Sequence, residues 1–192
     1  MWRRALCPTM GNDLKFVGDE PRRYEKQKME RKTENYKTFG KNRSLRLKEF
    51  HYKGPYVYFV TSTTCNRQNL FTRSEFAKVI IEQIKKIRIK ENFKLYAYCI
   101  MPDHLHLLLC PDENGKNLSG VMQLISGRTT KAFWQQGGKG KLWQRGFYDH
   151  VVRKTEDLRE IALYILNNPV RKGLVEKYED YPFCGLVDEL PV

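Results

Sequence analysis

Two of the chain's four histidines stand in the stretch Pro102-Asp103-His104-Leu105-His106-Leu107-Leu108-Leu109. Side chains along a β-strand alternate between its two faces. His104 and His106 therefore point to one face of a predicted strand, and the leucines at alternate positions point to the other. Two neighbouring imidazoles above an apolar strand face provide half of a metal site, and the residues that complete the site decide its chemistry.

Four segments around and including this stretch predict β-strands, because they combine β-branched, aromatic and apolar residues between turn-forming residues. They cover residues 55–63, 93–100, 105–110 and 147–153. The break Met101-Pro102-Asp103 predicts a hairpin connection between the second and third strands.

Three further segments predict helices, because their apolar residues recur with the 3.6-residue spacing of an α-helix. The first begins at a capping box, Thr72-Arg73-Ser74-Glu75. The second begins at Asn117 or Ser119, and Thr155 is the predicted N-cap of the third. The order strand, helix, strand, strand, helix, strand, helix predicts an α+β fold of ferredoxin-like type, with one antiparallel sheet and helices packed on one face.

The composition indicates one folded domain with a basic arm. The chain has 192 residues, of which 41% are apolar, and this is enough for one buried core. Residues 1–50 have little apolar periodicity and carry +7 of the formal net charge of +13. We expect residues 1–50 to form a flexible basic arm and residues 51–192 to form the folded domain. The charge predicts a polyanionic partner, most simply nucleic acid.

Several classes of protein are disfavoured by what the sequence lacks. It has no apolar run of the roughly 20 residues that span a bilayer and no secretory signal, so we expect a cytoplasmic protein. Its five cysteines are scattered without a Cys-x-x-Cys pair, which disfavours a disulfide framework or a zinc knuckle. It also lacks the glycine-rich phosphate loop of nucleotide-binding proteins.

The final predicted helix carries two groups that could complete the histidine site. Tyr164 and Asn168 are four residues apart and are therefore neighbours on one edge of a helix. Pro169 disfavours helical backbone at Asn168, so we expect the helix to end there. Taken singly, such a tyrosine is most often a half-buried residue at the rim of a core, and such an asparagine is a common helix terminator. Their combination with the histidine pair favours a joint site.

These motifs, in this order, resemble the single-tyrosine HUH nucleases and, more closely, the IS200-like transposases. Within that family the chain is most similar to the REP-associated tyrosine transposases. The resemblance extends from about residue 51 to residue 185 and leaves the basic arm outside. It rests on the histidine stretch, on Trp143-Gln144-Arg145-Gly146-Phe147-Tyr148-Asp149-His150-Val151-Val152-Arg153, and on Tyr164-Ile165-Leu166-Asn167-Asn168-Pro169-Val170-Arg171-Lys172-Gly173-Leu174-Val175.

The resemblance implies the HUH nuclease fold and a role for each motif residue. His104 and His106 match two metal ligands, Tyr164 matches the nucleophile, and Asn168 matches the third ligand. The implied activity is the cutting and rejoining of single-stranded or hairpin DNA through a 5′-phosphotyrosine intermediate. It implies a divalent metal, Mg²⁺ or Mn²⁺, no nucleotide cofactor, and a protein that works as a monomer or a homodimer.

Some assignments stay open at the level of sequence. Tyr148 is a second candidate nucleophile, ranked below Tyr164 because it matches no nucleophile position in the resemblance. Two other classes of protein also fit the pattern: a catalytically silent nucleic-acid-binding protein or domesticated regulator with the same fold, and a ferredoxin-like RNA-binding module with structural histidines. Basic residues that could contact DNA, chosen by their position in the chain, are Arg128, Lys131, Arg145 and Arg153.

Overall fold

A computed structural model describes residues 55–191 of the chain, so the predicted basic arm at residues 1–50 lies outside the described residues. The strands are β1 (Tyr58–Thr63), β2 (Lys94–Met101), β3 (His104–Cys110), β4 (Tyr148–Val151) and β5 (Cys184–Leu186). The helices are α1 (Ser74–Glu91), α2 (Leu118–Gln135), α3 (Leu158–Leu166) and α4 (Asn168–Arg171). The predicted α+β class is confirmed.

The five strands form one antiparallel sheet in the order β4-β1-β3-β2-β5. The histidine strand β3 is therefore central. It pairs with β2 through the predicted hairpin, with Met101 opposite His104. The sequence did not predict β5, which is only three residues long and contains a glycine, so it shows no strand periodicity of its own.

Helices cover both faces of this sheet, so the expectation of helices on one face is wrong. Leu105, Leu107 and Leu109 pack with the apolar residues of α1 and α2. On the other face, Leu108 packs with Ile165 and other residues of α3. The physical reason is that the central strands are apolar on both sides: almost every residue of β2 and β3 is buried. Both apolar faces must be removed from water.

The start of α1 also differs from its prediction. Its N-cap is Arg73, and no side chain caps the helix. The hydroxyl of Thr72 donates instead to the carbonyl oxygen of Asn69, at 2.7 Å, within a short 3₁₀ turn. The capping box is therefore absent because its threonine is used by the preceding turn.

The later helix starts depend on acceptor side chains one residue before the helix. Asn117 caps α2 by accepting from the backbone N–H of Gly120, as one of the two predicted starts requires. Asp157, and not Thr155, caps α3 by accepting from Arg159 N at 2.8 Å. The carboxylate also suits the positive end of the helix dipole.

The end of α3 is followed at once by a second helix. α3 ends at Leu166, two residues earlier than expected, and Asn168 begins α4. Pro169 lies in the first turn of α4, where its missing N–H and fixed φ are tolerated. The proline therefore starts a new helix after the break at Asn167.

The residues after β5 are fixed to both α1 and β2. Arg88 of α1 forms a bidentate ion pair with Asp188, and the same carboxylate accepts from Leu95 N at 2.7 Å. No helix within residues 55–191 is both long and apolar enough to cross a bilayer.

Candidate active site

His104 and His106 turn their ring nitrogens toward each other above the central strand. Their Nε2 atoms are 3.1 Å apart, with the ring planes at 79°. His104 Nδ1 donates to the Asp103 carboxylate at 2.5 Å. Because a carboxylate only accepts, Nδ1 holds a hydrogen, and in the neutral ring the lone pair is on Nε2. The sequence neighbour of His104 thus directs the Nε2 lone pair of that ring toward His106.

The second imidazole is held from the neighbouring strand β1. A hydrogen bond of 2.9 Å joins Thr61 Oγ1 to Nδ1 of His106, and the two residues are direct cross-strand partners. The pKa of His106 is lowered to about 3, chiefly because the ring is buried. The charges of His104 and Arg171 contribute to this lowering of the pKa, while Asp103 opposes it. His106 is therefore neutral near pH 7, as a metal ligand must be.

The distance between the two nitrogens suits a shared divalent cation. Imidazole nitrogens lie about 2.1 Å from a bound ion, so two at right angles would be about 3.0 Å apart. The observed separation is 3.1 Å. Each ring also holds its other nitrogen in a hydrogen bond, the usual arrangement behind metal-binding histidines.

A third ligand would have to come from another residue type. Within residues 55–191 no group of three or more His, Cys, Asp or Glu side chains is arranged to hold a metal ion. Asn168 is buried, with 7% of its surface exposed, and its Nδ2 donates to the carbonyl oxygens of Tyr164 and Ile165. These bonds use the amide nitrogen, and Oδ1 is the atom that could bind a cation. The ligand role of Asn168 stays a prediction.

Tyr164 lies on the histidine side of the sheet. Its ring packs edge-on against Phe59 of β1, with centroids 6.1 Å apart. Phe59 in turn lies 5.3 Å from the ring of His106. Tyr164 is 47% exposed, so a large substrate can reach it. Phe59 thus links the predicted nucleophile to the histidine pair, and sequence reasoning missed it because its role depends on the pairing of β1 with β3.

Arg171 is a second residue that sequence reasoning missed. Its guanidinium carbon lies 4.2 Å from the centroid of the Tyr164 ring, a cation–π contact. Its charge also contributes to the lowered pKa of His106, so it acts on both parts of the site. The seven-residue spacing between Tyr164 and Arg171 is a sequence signal for this contact, because residues seven apart on a helix share a face. The prediction ended the helix before Arg171, whereas α4 places Arg171 over the tyrosine ring.

The other candidate nucleophile, Tyr148, reaches the same face. Thr61 is paired with His106 on one side and with Tyr148 on the other. Directly opposite residues in a sheet share a face. Tyr148 is exposed, and only substitution of each tyrosine in turn separates its role from that of Tyr164.

A histidine–carboxylate pair fastens the edge of the sheet to the start of α3. His150, opposite Phe59 in the sheet, has its Nε2 2.7 and 3.0 Å from the two carboxylate oxygens of Glu156. Glu156 also accepts from Arg153 N at 2.6 Å. These bonds fix the turn between β4 and the helix that holds Tyr164.

The four basic residues proposed for DNA contacts separate into two groups. Arg128 and Lys131 are exposed on α2, which packs on the leucine side of the sheet, away from the histidines. Arg145 is exposed just before β4, and Arg153 is partly buried just after it. Only the second pair flanks a strand that contributes to the histidine side.

Comparison with known proteins is consistent with this geometry. A sequence model of the family described as "Transposase IS200 like" matches residues 53–168, a span that includes both histidines, Tyr164 and Asn168. The REP-associated tyrosine transposase of Escherichia coli K12 is 27% identical over 136 residues, which are 71% of this chain and 79% of that protein. The solved structure of a REP-associated tyrosine transposase bound to a REP hairpin superposes with a TM-score of 0.59. It is 26% identical, and the match covers 73% of this chain and 82% of that one.

Proposed function

This chain belongs to the IS200-like transposase family, and we propose that it cuts and rejoins single-stranded or hairpin DNA through a covalent link to Tyr164. One observation carries most of the proposal. The Nε2 atoms of His104 and His106 face each other on the central strand, and Phe59 joins this pair to an exposed tyrosine. A structural pair of histidines would not require an accessible phenol beside it.

In the proposed metal site, the hydrogen bonds to the two histidine rings hold the ligands in place. A divalent ion, Mg²⁺ or Mn²⁺, would be held by His104, His106 and Asn168, and when bound it would polarise the scissile phosphate. Asp103 and Thr61 keep the two rings oriented, and the buried His106 stays neutral.

The covalent step belongs to Tyr164. Its phenolic oxygen attacks the phosphorus, the bond from phosphorus to the 3′ oxygen breaks, and that oxygen takes up a proton as a free 3′ hydroxyl. The phenol loses its own proton on attack, and the guanidinium of Arg171 above the ring stabilises the resulting negative charge. The 5′-phosphotyrosine link conserves the energy of the phosphodiester, so rejoining requires no nucleotide cofactor.

The partner proposed is DNA that folds into a hairpin, as in the solved relative. Arg145 and Arg153 are the basic residues of choice for the strand that enters the site. Arg128 and Lys131 would contact DNA only if it extends to the other side of the sheet. We assign the activity to the cytoplasm and to a monomer or a homodimer.

The decisive experiment replaces Tyr164 with Phe and measures the covalent protein–DNA adduct on a labelled hairpin oligonucleotide. Wild type should form adduct when Mg²⁺ or Mn²⁺ is present and should form none when EDTA is present from the start. Tyr164→Phe should form none, because phenylalanine has no nucleophilic oxygen, while Tyr148→Phe is the matched control and should retain the adduct.

Two results would contradict the proposal. Adduct that persists in Tyr164→Phe and disappears in Tyr148→Phe would transfer the role to Tyr148. Hairpin binding without adduct in every metal would instead identify a silent nucleic-acid-binding protein of the same fold.

A further inference from the structure

Cys99 of β2 and Cys184 of β5 are direct cross-strand partners, although 84 residues separate them in the chain. Two other residue pairs of these strands are joined by backbone hydrogen bonds: Ile100 N donates to Phe183 O at 2.8 Å, and Val187 N donates to Tyr96 O at 3.1 Å. Hydrogen-bonded and non-hydrogen-bonded pairs alternate along an antiparallel ladder. They therefore form a non-hydrogen-bonded pair, in which Cα atoms approach to about 4.5 Å. This lies within the Cα separation of about 4.4–6.8 Å that a disulfide requires.

The two thiols lie in one apolar cluster and differ in accessibility. Cys99 is fully buried, whereas Cys184 is partly exposed and packs against the cluster that contains Cys99. The Cys184 thiol donates to the carbonyl oxygens of Tyr178 and Tyr181, each at 3.5 Å. The neighbouring Cys99 side chain lowers the pKa of Cys184. An oxidant would thus meet Cys184 first, with Cys99 beside it. Among the cysteines that the structure describes, Cys110 is also buried, and its thiol is directed to the carbonyl oxygen of Pro111.

We propose that Cys99 and Cys184 are a covalent modification site, which hydrogen peroxide or a related two-electron peroxide oxidant converts to a disulfide. The Cys184 thiolate attacks a peroxide oxygen, which gives a sulfenic acid and hydroxide. The Cys99 sulfur then displaces the hydroxyl group from that sulfur and its proton leaves with it as water. In total, two thiols and one peroxide give one disulfide and two waters, and two electrons pass from sulfur to oxygen.

The disulfide would fasten the edge strand β5 to β2. β5 has only three residues, and Tyr181 just before it donates to the carbonyl oxygen of Ile100 at 2.8 Å. Cys99 is also the cross-strand partner of His106, so the new bond would form next to the histidine strand. The inference does not depend on transposase activity, since it rests on the pairing of β2 with β5 and on the accessibility of the two thiols.

The test uses the full chain, reduced and then exposed to a small excess of hydrogen peroxide. Remaining thiols are alkylated, and the protein is digested without reductant for mass spectrometry. We expect one linked peptide pair, Cys99 with Cys184, lighter by about 2 Da than the two free thiol peptides and separated again by dithiothreitol. The oxidised protein should have a Tm several degrees higher than that of the reduced protein, and a protease should remove its C-terminal segment more slowly.

Matched variants make the result specific. Cys65→Ser, at a partly exposed thiol elsewhere in the fold, should leave the linkage intact, while Cys184→Ser should abolish it; Cys184→Ala replaces that variant if it does not fold. The proposal fails if folded wild type gives no linked pair. It also fails if Cys184 links equally to other cysteines or is oxidised further while Cys99 stays a free thiol.

Discussion

The two imidazoles of the histidine pair are held by different kinds of partner. A carboxylate, Asp103, accepts from Nδ1 of His104 and so fixes the tautomer and the orientation of that ring. A neutral hydroxyl, Thr61, holds His106, which burial keeps uncharged. The Asp103 bond leaves the lone pair of His104 on Nε2, directed at His106, whereas the Thr61 hydroxyl can pair with either neutral tautomer of His106.

Asp103→Asn tests this support at the residue scale. Asparagine lacks the negative charge and can present its NH₂ group to Nδ1, so it no longer fixes the tautomer of His104, and the affinity for metal should fall about 10- to 100-fold. We expect the Mn²⁺ concentration at half-maximal adduct formation to rise accordingly, with adduct restored at high metal. Glu113→Gln, at an exposed carboxylate outside the site, should leave it unchanged. An unaltered metal requirement in Asp103→Asn would contradict the assignment.

At the scale of elements, α3 holds the tyrosine and α4 holds the arginine that lies over its ring. The residues from Leu158 to Arg171 form two helices that are separated at Asn167, and Pro169 lies in the first turn of the second one. Arg171 then lies over the Tyr164 ring. The short helix therefore has a function that its four residues do not suggest on their own.

Arg171→Gln should slow adduct formation about 2- to 30-fold, since a cation–π contact contributes about 0.5–2 kcal/mol. Hairpin binding should be nearly unchanged, so the effect should appear in the single-turnover rate and not in the apparent Kd. Arg171→Lys should recover part of the rate, because it restores the charge without the planar group. Lys172→Gln, at the exposed neighbour, is the control. If Arg171→Gln and Lys172→Gln lost hairpin binding equally, the effect would come from the overall positive charge and not from the contact with Tyr164.

At the scale of the whole molecule, the ion pair between Arg88 and Asp188 joins the last part of the chain to α1 and β2. Burial tends to raise the pKa of Asp188, but the hydrogen bonds from Arg88 and Leu95 outweigh it and lower the pKa overall. The folded state therefore favours the carboxylate more than the unfolded state does.

Asp188→Asn should reduce the free energy of unfolding at pH 7 by about 1–3 kcal/mol. Because the folded pKa is lowered, wild type has the full contribution above about pH 4, the unfolded value, and loses it as pH falls through the folded pKa. Urea unfolding of the variant should therefore vary less between pH 5 and pH 2.5. Asp180→Asn, at an exposed site, should behave as wild type. If the free energy of unfolding of Asp188→Asn fell as steeply with decreasing pH as that of wild type, the contribution assigned to Asp188 would be refuted.

The sequence by itself determined the alternation of histidine and leucine in β3, the α+β class, and the residues of the family motifs. These follow from local periodicity and from spacing along the chain. Tertiary structure decided how the sheet faces are covered, the contact of Phe59 with His106, and the pairing of Cys99 with Cys184. Such contacts join residues far apart in the chain, and local pattern does not specify them, because strand pairing depends on which apolar faces can be buried together.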